Sequence, residues 1–147
     1  MVIRRIDHVG VIVNDLAAAK DFFLNLGLDV LGEAEVDVEV EWIEREMGLT
    51  DFRKMIVMLG TQDGETTLEL VKFHTLSDEK EFQQHFPTTL GVSHIAFAVE
   101  NIEVVVAKLK KSGAELLGEI KTYENIIKLC YVRGPEGIVL ELAEKIS

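Results

Sequence analysis

The feature that most constrains this chain is a repeat. Sliding the sequence by 86 residues superposes residues 6–33 on 92–119 without a gap, and six of the 28 pairs are identical. The matches are His8 with His94, Val13 with Val99, Gly27 with Gly113, Leu31 with Leu117, Gly32 with Gly118 and Glu33 with Glu119. Internal self-similarity means that one supersecondary unit is built twice, so any fold proposed for one half has to serve for the other.

The local patterns agree on what that unit is. Residues 6–13 alternate, with Val9, Val11 and Val13 on one face and His8, Gly10 and Ile12 on the other, the period of a strand. Asp15 and Asn101 then stand where helix N-caps belong. After them the period becomes helical, through Leu16, Ala19, Phe22, Phe23 and Leu26 in the first copy and Ile102, Val105, Val106 and Leu109 in the second. Gly27 and Gly113 follow as helix stops, and 28–36 and 114–120 resume extended character. Two further strands close each copy. Residues 53–59 and 66–73 flank the loop 60–64, and 126–132 and 138–143 flank the loop 133–137. The expected class is therefore α+β, with two tandem βαβββ modules over 5–73 and 91–144 joined by a connector at 74–90, in a single 1–147 domain.

Two stretches depart from the repeat. Residues 37–52 read as a short amphipathic helix stopped at Gly48 or as a continuing strand, and the helix is preferred. Residues 77–86 read as a connector helix ending before Pro87, capped by Ser77 or Asp78. A formal charge of −11 disfavours nucleic acid and anionic membranes as partners, and Lys108, Lys110 and Lys111 read as the solvated side of a helix. No apolar run is long enough to span a bilayer, and no secretory leader pattern opens the chain, so a cytoplasmic location is expected. The lone Cys130 allows no internal disulfide and reads as a small buried residue.

The chemistry lies on the strands. Both closing strands contain Leu-Glu-Leu, as Leu68-Glu69-Leu70 and Leu140-Glu141-Leu142, so each glutamate points away from the face its leucines bury. His8 and His94 occupy matched positions on their own strands. Singly, a strand histidine or a glutamate between leucines is ordinary, being the polar half of an alternating strand. Two of each at matched places are not, and two imidazoles with two carboxylates suit one divalent cation. Nickel, cobalt, zinc, manganese and iron all accept such mixed donors. His74 and His85 have no counterpart under the repeat and read as surface residues.

These residues resemble the vicinal oxygen chelate superfamily, which includes glyoxalase I, methylmalonyl-CoA epimerase, extradiol dioxygenases, and fosfomycin- and bleomycin-resistance proteins. The resemblance rests on Ile6-Asp7-His8-Val9-Gly10, Leu68-Glu69-Leu70, Val92-Ser93-His94-Ile95-Ala96 and the run from Gly134 to Leu142, and it covers almost the whole chain. It implies that paired modules form a curved, mostly antiparallel eight-stranded sheet, a half-barrel cup with the helices outside, enclosing a metal within one chain or across a dimer. Half-cup units with long exposed edges make a homodimer the expected assembly. By this resemblance His8, Glu69, His94 and Glu141 match the metal ligands of bacterial glyoxalase I.

The mechanism so implied is proton transfer next to a metal-bound carbonyl through an enediolate or enolate, with Glu141 or Glu69 as base. The more compact second module favours Glu141. Bacterial glyoxalase I carries an arginine and an asparagine where this chain has Ile12 and Phe73, which argues against a glutathione adduct. The epimerases often place glutamine at the position of Glu69 and a base on the preceding strand, where residues 53–59 offer no carboxylate. Strand parity instead suggests an apolar pocket of Ile12, Phe73, Ala96, Ala98 and Trp42, suited to a hydrophobic carbonyl or thioester. A lyase or isomerase of glyoxalase or acyl-CoA epimerase type is thus the leading reading. A dioxygenase or antibiotic-resistance enzyme on the same scaffold, or a non-catalytic small-molecule binding protein, is the alternative.

Overall fold

The computed structural model describes residues 5–38, 52–74 and 94–146. The chain divides into two compact units, Met1–Glu81 and Phe82–Ser147. In the first, strand β1 (His8–Ile12), helix α1 (Leu16–Leu26) and strands β2 (Asp29–Val38), β3 (Phe52–Gly60) and β4 (Thr67–Phe73) follow in order. In the second, β5 (Ile95–Ala98), α2 (Ile102–Lys111), β6 (Glu115–Tyr123), β7 (Ile127–Arg133) and β8 (Val139–Lys145) repeat that order. Among the described residues the eight strands form two open four-stranded sheets, β1-β4-β3-β2 and β5-β8-β7-β6. The predicted βαβββ module is therefore present twice. The helix preferred within 37–52 and the connector helix over 77–86 lie outside the described residues, as do Trp42 and His85, while Val38 and Phe52 end β2 and begin β3.

Each of the repeated identities has a structural task. Gly27 has φ +121° and Gly113 φ +94°, left-handed conformations that a side chain would strain. At both, the following residue donates back across the helix end, Leu28 N–H to Phe23 O and Ala114 N–H to Leu109 O, each at 3.0 Å, a Schellman stop. The repeated Leu-Gly-Glu marks a slip in both ladders. The β2–β3 register shifts between Val30 and Gly32, and the β6–β7 register between Leu117 and Lys121, with Gly118 at φ +74°. Val13 N–H donates to Val71 O at 2.9 Å and Val99 N–H to Ala143 O at 2.8 Å, equivalent bonds that extend the β1–β4 and β5–β8 pairings by one residue.

Each helix buries its apolar stripe on one face of its own sheet. In the first unit Ala19, Phe22 and Phe23 join Leu68, Leu70, Val57 and Leu59, all buried, with the two phenyl rings edge to face at 5.4 Å. In the second, Ile102, Val106 and Leu109 join Cys130, Val132, Leu140 and Leu142. Cys130 is buried as the sequence suggested, and burial pushes its thiol pKa up. His74 is exposed just beyond β4, and the three lysines of α2 are solvated along its C-terminal end, where cations offset the helix dipole. No helix among the described residues is long and apolar enough to cross a membrane.

The two N-caps differ, and one corrects the sequence reading. Asp15 caps α1 as expected, its Oδ1 accepting from Ala18 N–H at 3.0 Å. Asn101 makes no side-chain cap bond. It adopts a left-handed conformation, φ 54° and ψ 63°, which asparagine tolerates better than most residues. The cap comes instead from β8: Glu144 Oε2 accepts from Asn101 N–H and Glu144 Oε1 from Ile102 N–H, both at 3.0 Å. A local pattern cannot reveal a cap supplied from 42 residues away.

Glu144→Ala should therefore destabilise the protein by about 1 kcal/mol, the usual loss for a removed cap. Asn101→Ala should cost through its left-handed backbone rather than through a lost side-chain bond. Denaturant unfolding of both variants beside Asp15→Ala checks this, and an unaltered Glu144→Ala midpoint would refute the assignment.

Candidate functional site

The site residues are placed by strand pairing. β1 and β4 are parallel, with His8 opposite Thr67 and Gly10 opposite Glu69, so the histidine and the glutamate stand on one face two residues apart. β5 and β8 are also parallel, with Ala96 opposite Glu141. Ala96 is the repeat partner of Gly10, so the glutamate sits in the same register in both sheets. Parallel neighbours require a crossover, and the helix that makes it covers the face carrying the leucines. The His–Glu face is the other one.

Within each unit the pair closes to short range. His8 Nε2 lies 3.3 Å from Glu69 Oε2, and His94 Nε2 lies 3.8 Å from Glu141 Oε2. The glutamates are mostly covered, with side chains 18% and 20% exposed, whereas His8 is 44% exposed. Donors bound about 2.0–2.2 Å from one cation at right or tetrahedral angles sit roughly 3.0–3.5 Å apart. The first pair has that spacing as it stands, and the second needs a shift of a few tenths of an ångström. Among the described residues no group of three or more His, Cys, Asp or Glu side chains is gathered so as to hold a metal ion. Each unit thus offers one nitrogen and one oxygen donor of the kinds a divalent cation accepts.

Asp7, which the sequence reading passed over, orients His8. Its Oδ2 lies 3.0 Å from His8 Nδ1, and its Oδ1 accepts from the Arg5 guanidinium at 3.1 Å. With Nδ1–H donated to Asp7, the lone pair of neutral His8 is on Nε2, facing a carboxylate oxygen. Two acceptors at that distance call for a proton or a cation between them. Such carboxylate–histidine pairs are the usual support of a metal-bound imidazole. The Asp7 hydrogen bond, helped by the charges of Glu69 and Asp7 and opposed by desolvation, raises the His8 pKa above its ordinary value. The signal available in the sequence was adjacency, an acid immediately before the repeated histidine.

The second pair has a different neighbour. The Tyr131 ring meets His94 edge to face, with centroids 5.5 Å apart and planes at 83°. Tyr131 is also the cross-strand partner of Glu141, and burial first and the charge of Glu141 second raise its pKa. Of the expected pocket residues, Ile12 is 69% exposed, Ala96 and Ala98 are exposed and Phe73 is half-buried. All four share the His–Glu face of their own sheet by strand parity. A separate cleft of about 810 Å³ lies on the helix side of the first sheet, lined in part by Leu16, Ala17, Met55 and Val57. It opens on the face opposite His8 and Glu69.

Asp7→Asn should lower the pKa of His8 in the metal-free protein, moving its imidazole titration seen by NMR to lower pH. An unmoved His8 midpoint would show that Asp7 does not control this ring.

Comparison with known proteins fits this geometry. A sequence model of the Glyoxalase/Bleomycin resistance protein/Dioxygenase superfamily matches residues 5–142. The chain is 28% identical over 144 residues to the protein YwbC of Bacillus subtilis (strain 168), covering 97% of this chain and 98% of that one. A glyoxalase family protein from Bacillus cereus superposes with a TM-score of 0.87 at 39% identity, covering 100% of this chain and 97% of that one. A glyoxalase family protein from Enterococcus faecalis gives 0.63 at 29% identity, covering 96% and 98%. The chain belongs to the Glyoxalase/Bleomycin resistance protein/Dioxygenase superfamily.

Proposed function

We propose that this protein is a metal-dependent lyase or isomerase of the glyoxalase or acyl-CoA epimerase type, which moves a proton on the carbon next to a carbonyl of a small-molecule substrate. The observation that carries the reading is the matched pair of His–Glu contacts, 3.3 Å in the first unit and 3.8 Å in the second, in one register on two sheets. His8 and Glu69 in the first unit and His94 and Glu141 in the second are the residues that would hold a divalent cation, with the set completed within one chain or across a dimer. When bound, that ion supplies Lewis acidity, which lowers the cost of charge developing on a carbonyl oxygen.

The remaining work falls to the chain. Asp7 fixes the ring of His8 and keeps Nε2 as the donor. A glutamate, Glu69 or Glu141, takes the proton from carbon, since a carboxylate within reach of the substrate is the base this residue set provides. Ile12, Phe73, Ala96 and Ala98 offer an apolar lining, and Ile12 and Phe73 present no cation or amide to grip a peptide thiol. A hydrophobic carbonyl or thioester is the substrate class that suits them. We place the protein in the cytoplasm and expect it to act as a homodimer, in keeping with its acidic sequence and its open sheets.

Purified protein stripped with chelator should take up one equivalent of nickel, cobalt, zinc, manganese or iron per site. A cation at 100 times its Kd should raise the unfolding free energy by about 2.7 kcal/mol. His8→Ala or His94→Ala should weaken uptake by at least about 100-fold, more than loss of a supporting residue does. Failure to take up any of these cations would overturn the reading.

The loaded protein should incorporate solvent deuterium next to the carbonyl of a methylglyoxal–thiol adduct or a 2-methylacyl-CoA. Glu69→Gln or Glu141→Gln should abolish the exchange carried by the base. Stoichiometric metal without exchange in either substrate class would leave a binding protein, and oxygen-dependent turnover with bound iron would indicate a dioxygenase.

A further inference from the structure

The repeat supplies an internal comparison on the helix side of each sheet. Met55 stands opposite Lys72, three residues from Met58 and Glu69, and Lys128 stands opposite Glu144, three residues from Tyr131 and Glu141, so the two couples are equivalent. Under the 86-residue shift Ala17 of α1 likewise matches Glu103 of α2. In the second unit these positions cross the corner between helix and sheet. Lys128 Nζ lies 2.7 Å from Glu103 Oε1, and Glu144 reaches the start of α2. In the first unit Ala17 and Met55 stand where that ion pair would be, and the corner is the open cleft of about 810 Å³.

We propose that this cleft is a second ligand site, separate from the His–Glu face, and that it takes a small monocarboxylate with an apolar body, its head group on Lys72. The cleft falls within the range of about 300–1,000 Å³ usual for small-molecule pockets. Leu16, Ala17, Met55 and Val57 form its apolar wall, against which a hydrocarbon body leaves water. Met55 suits that task, since its unbranched thioether side chain adapts to the shape of what it covers.

The charges around the wall select the head group. Glu33 is paired with Lys20, Glu35 with Arg53 at 3.3 Å, and Asp15 is committed to the start of α1. Lys72 differs from these, because its ammonium donates to a neutral acceptor, the backbone carbonyl of Asn14. An ammonium has three donors and keeps its full charge in such a bond, so an entering carboxylate gains a charge-assisted hydrogen bond from it. A cationic head group would have to displace Lys20 or Arg53 from its glutamate. In the second unit the place of Lys72 is taken by Glu144, an acid turned onto the helix start, so the same ligand would find neither its counter-charge nor its space.

Decanoate serves as the probe, added to metal-free protein and read by NMR of labelled methionine methyl groups, because Met55 and Met58 lie on opposite faces of β3. It should shift the Met55 methyl saturably and leave that of Met58 unmoved. Lys72→Gln should weaken decanoate binding by at least about tenfold, the scale of one hydrogen bond to a charged group. Decanol, which lacks the charge, should bind parent and variant alike. Ala17→Glu combined with Met55→Lys, which rebuilds the ion pair of the second unit, should abolish decanoate binding in calorimetry while keeping the parent's unfolding midpoint. A shift at Met58 in place of Met55, no saturable shift, decylamine binding as tightly as decanoate, or parental affinity in Lys72→Gln would overturn the proposal. Should the double variant fail to fold, Lys72→Gln and the two methyl groups still decide it.

Discussion

The candidate site depends on one pairing, the parallel contact between the first and last strands of each module. Because β1 and β4 run the same way, as do β5 and β8, each pair needs a crossover, and the helix that returns the chain must cover one face of the sheet. That cover takes the leucines on either side of Glu69 and Glu141 and leaves the glutamates on the opposite side. The register then brings the histidine of the first strand within 3.3 Å or 3.8 Å of the glutamate on the last. A slip of one residue in either pairing would turn His8 or Glu69 into the helix-covered core, where an unpaired charge is costly.

Most of this was written in the sequence because a repeat supplies its own control. A single alternating strand or a single glycine after an apolar stripe is ambiguous. The same features recurring at a fixed offset are not, and every identity under the 86-residue shift falls at a histidine beside a strand glutamate, a helix stop, a ladder bond or a bulge. Contacts that join distant parts of the chain were hidden. Glu144 as the cap of α2 and Tyr131 as the neighbour of Glu141 depend on which residues oppose each other across strands, and hairpin register cannot be counted out when loops differ in length. Asn101 illustrates the reverse error, a residue of the right type at a cap position whose task turned out to be backbone conformation.

The repeat is also where asymmetry becomes informative. Residues 39–51 separate β2 from β3, whereas residues 124–126 separate β6 from β7 in a tight turn, with Glu124 at φ 51° and Asn125 at φ 54°. Asp7 supports His8, while an aromatic edge lies against His94. Met58 and Tyr131 face the two glutamates. Two copies that keep their backbone plan and diverge at these neighbours are tuned differently, which a site of two interchangeable halves would not require.

The helix caps carry a consequence for what the protein can recognise. Helix N-termini are common seats for the phosphoryl and carboxyl groups of ligands. Among the described residues both α-helix starts are already filled from within, α1 by Asp15 and α2 by both oxygens of Glu144. An incoming phosphate would meet a carboxylate at each of them, in a chain whose formal charge is −11. Neither of these two helix starts can therefore seat the anionic tail of a ligand without displacing a carboxylate.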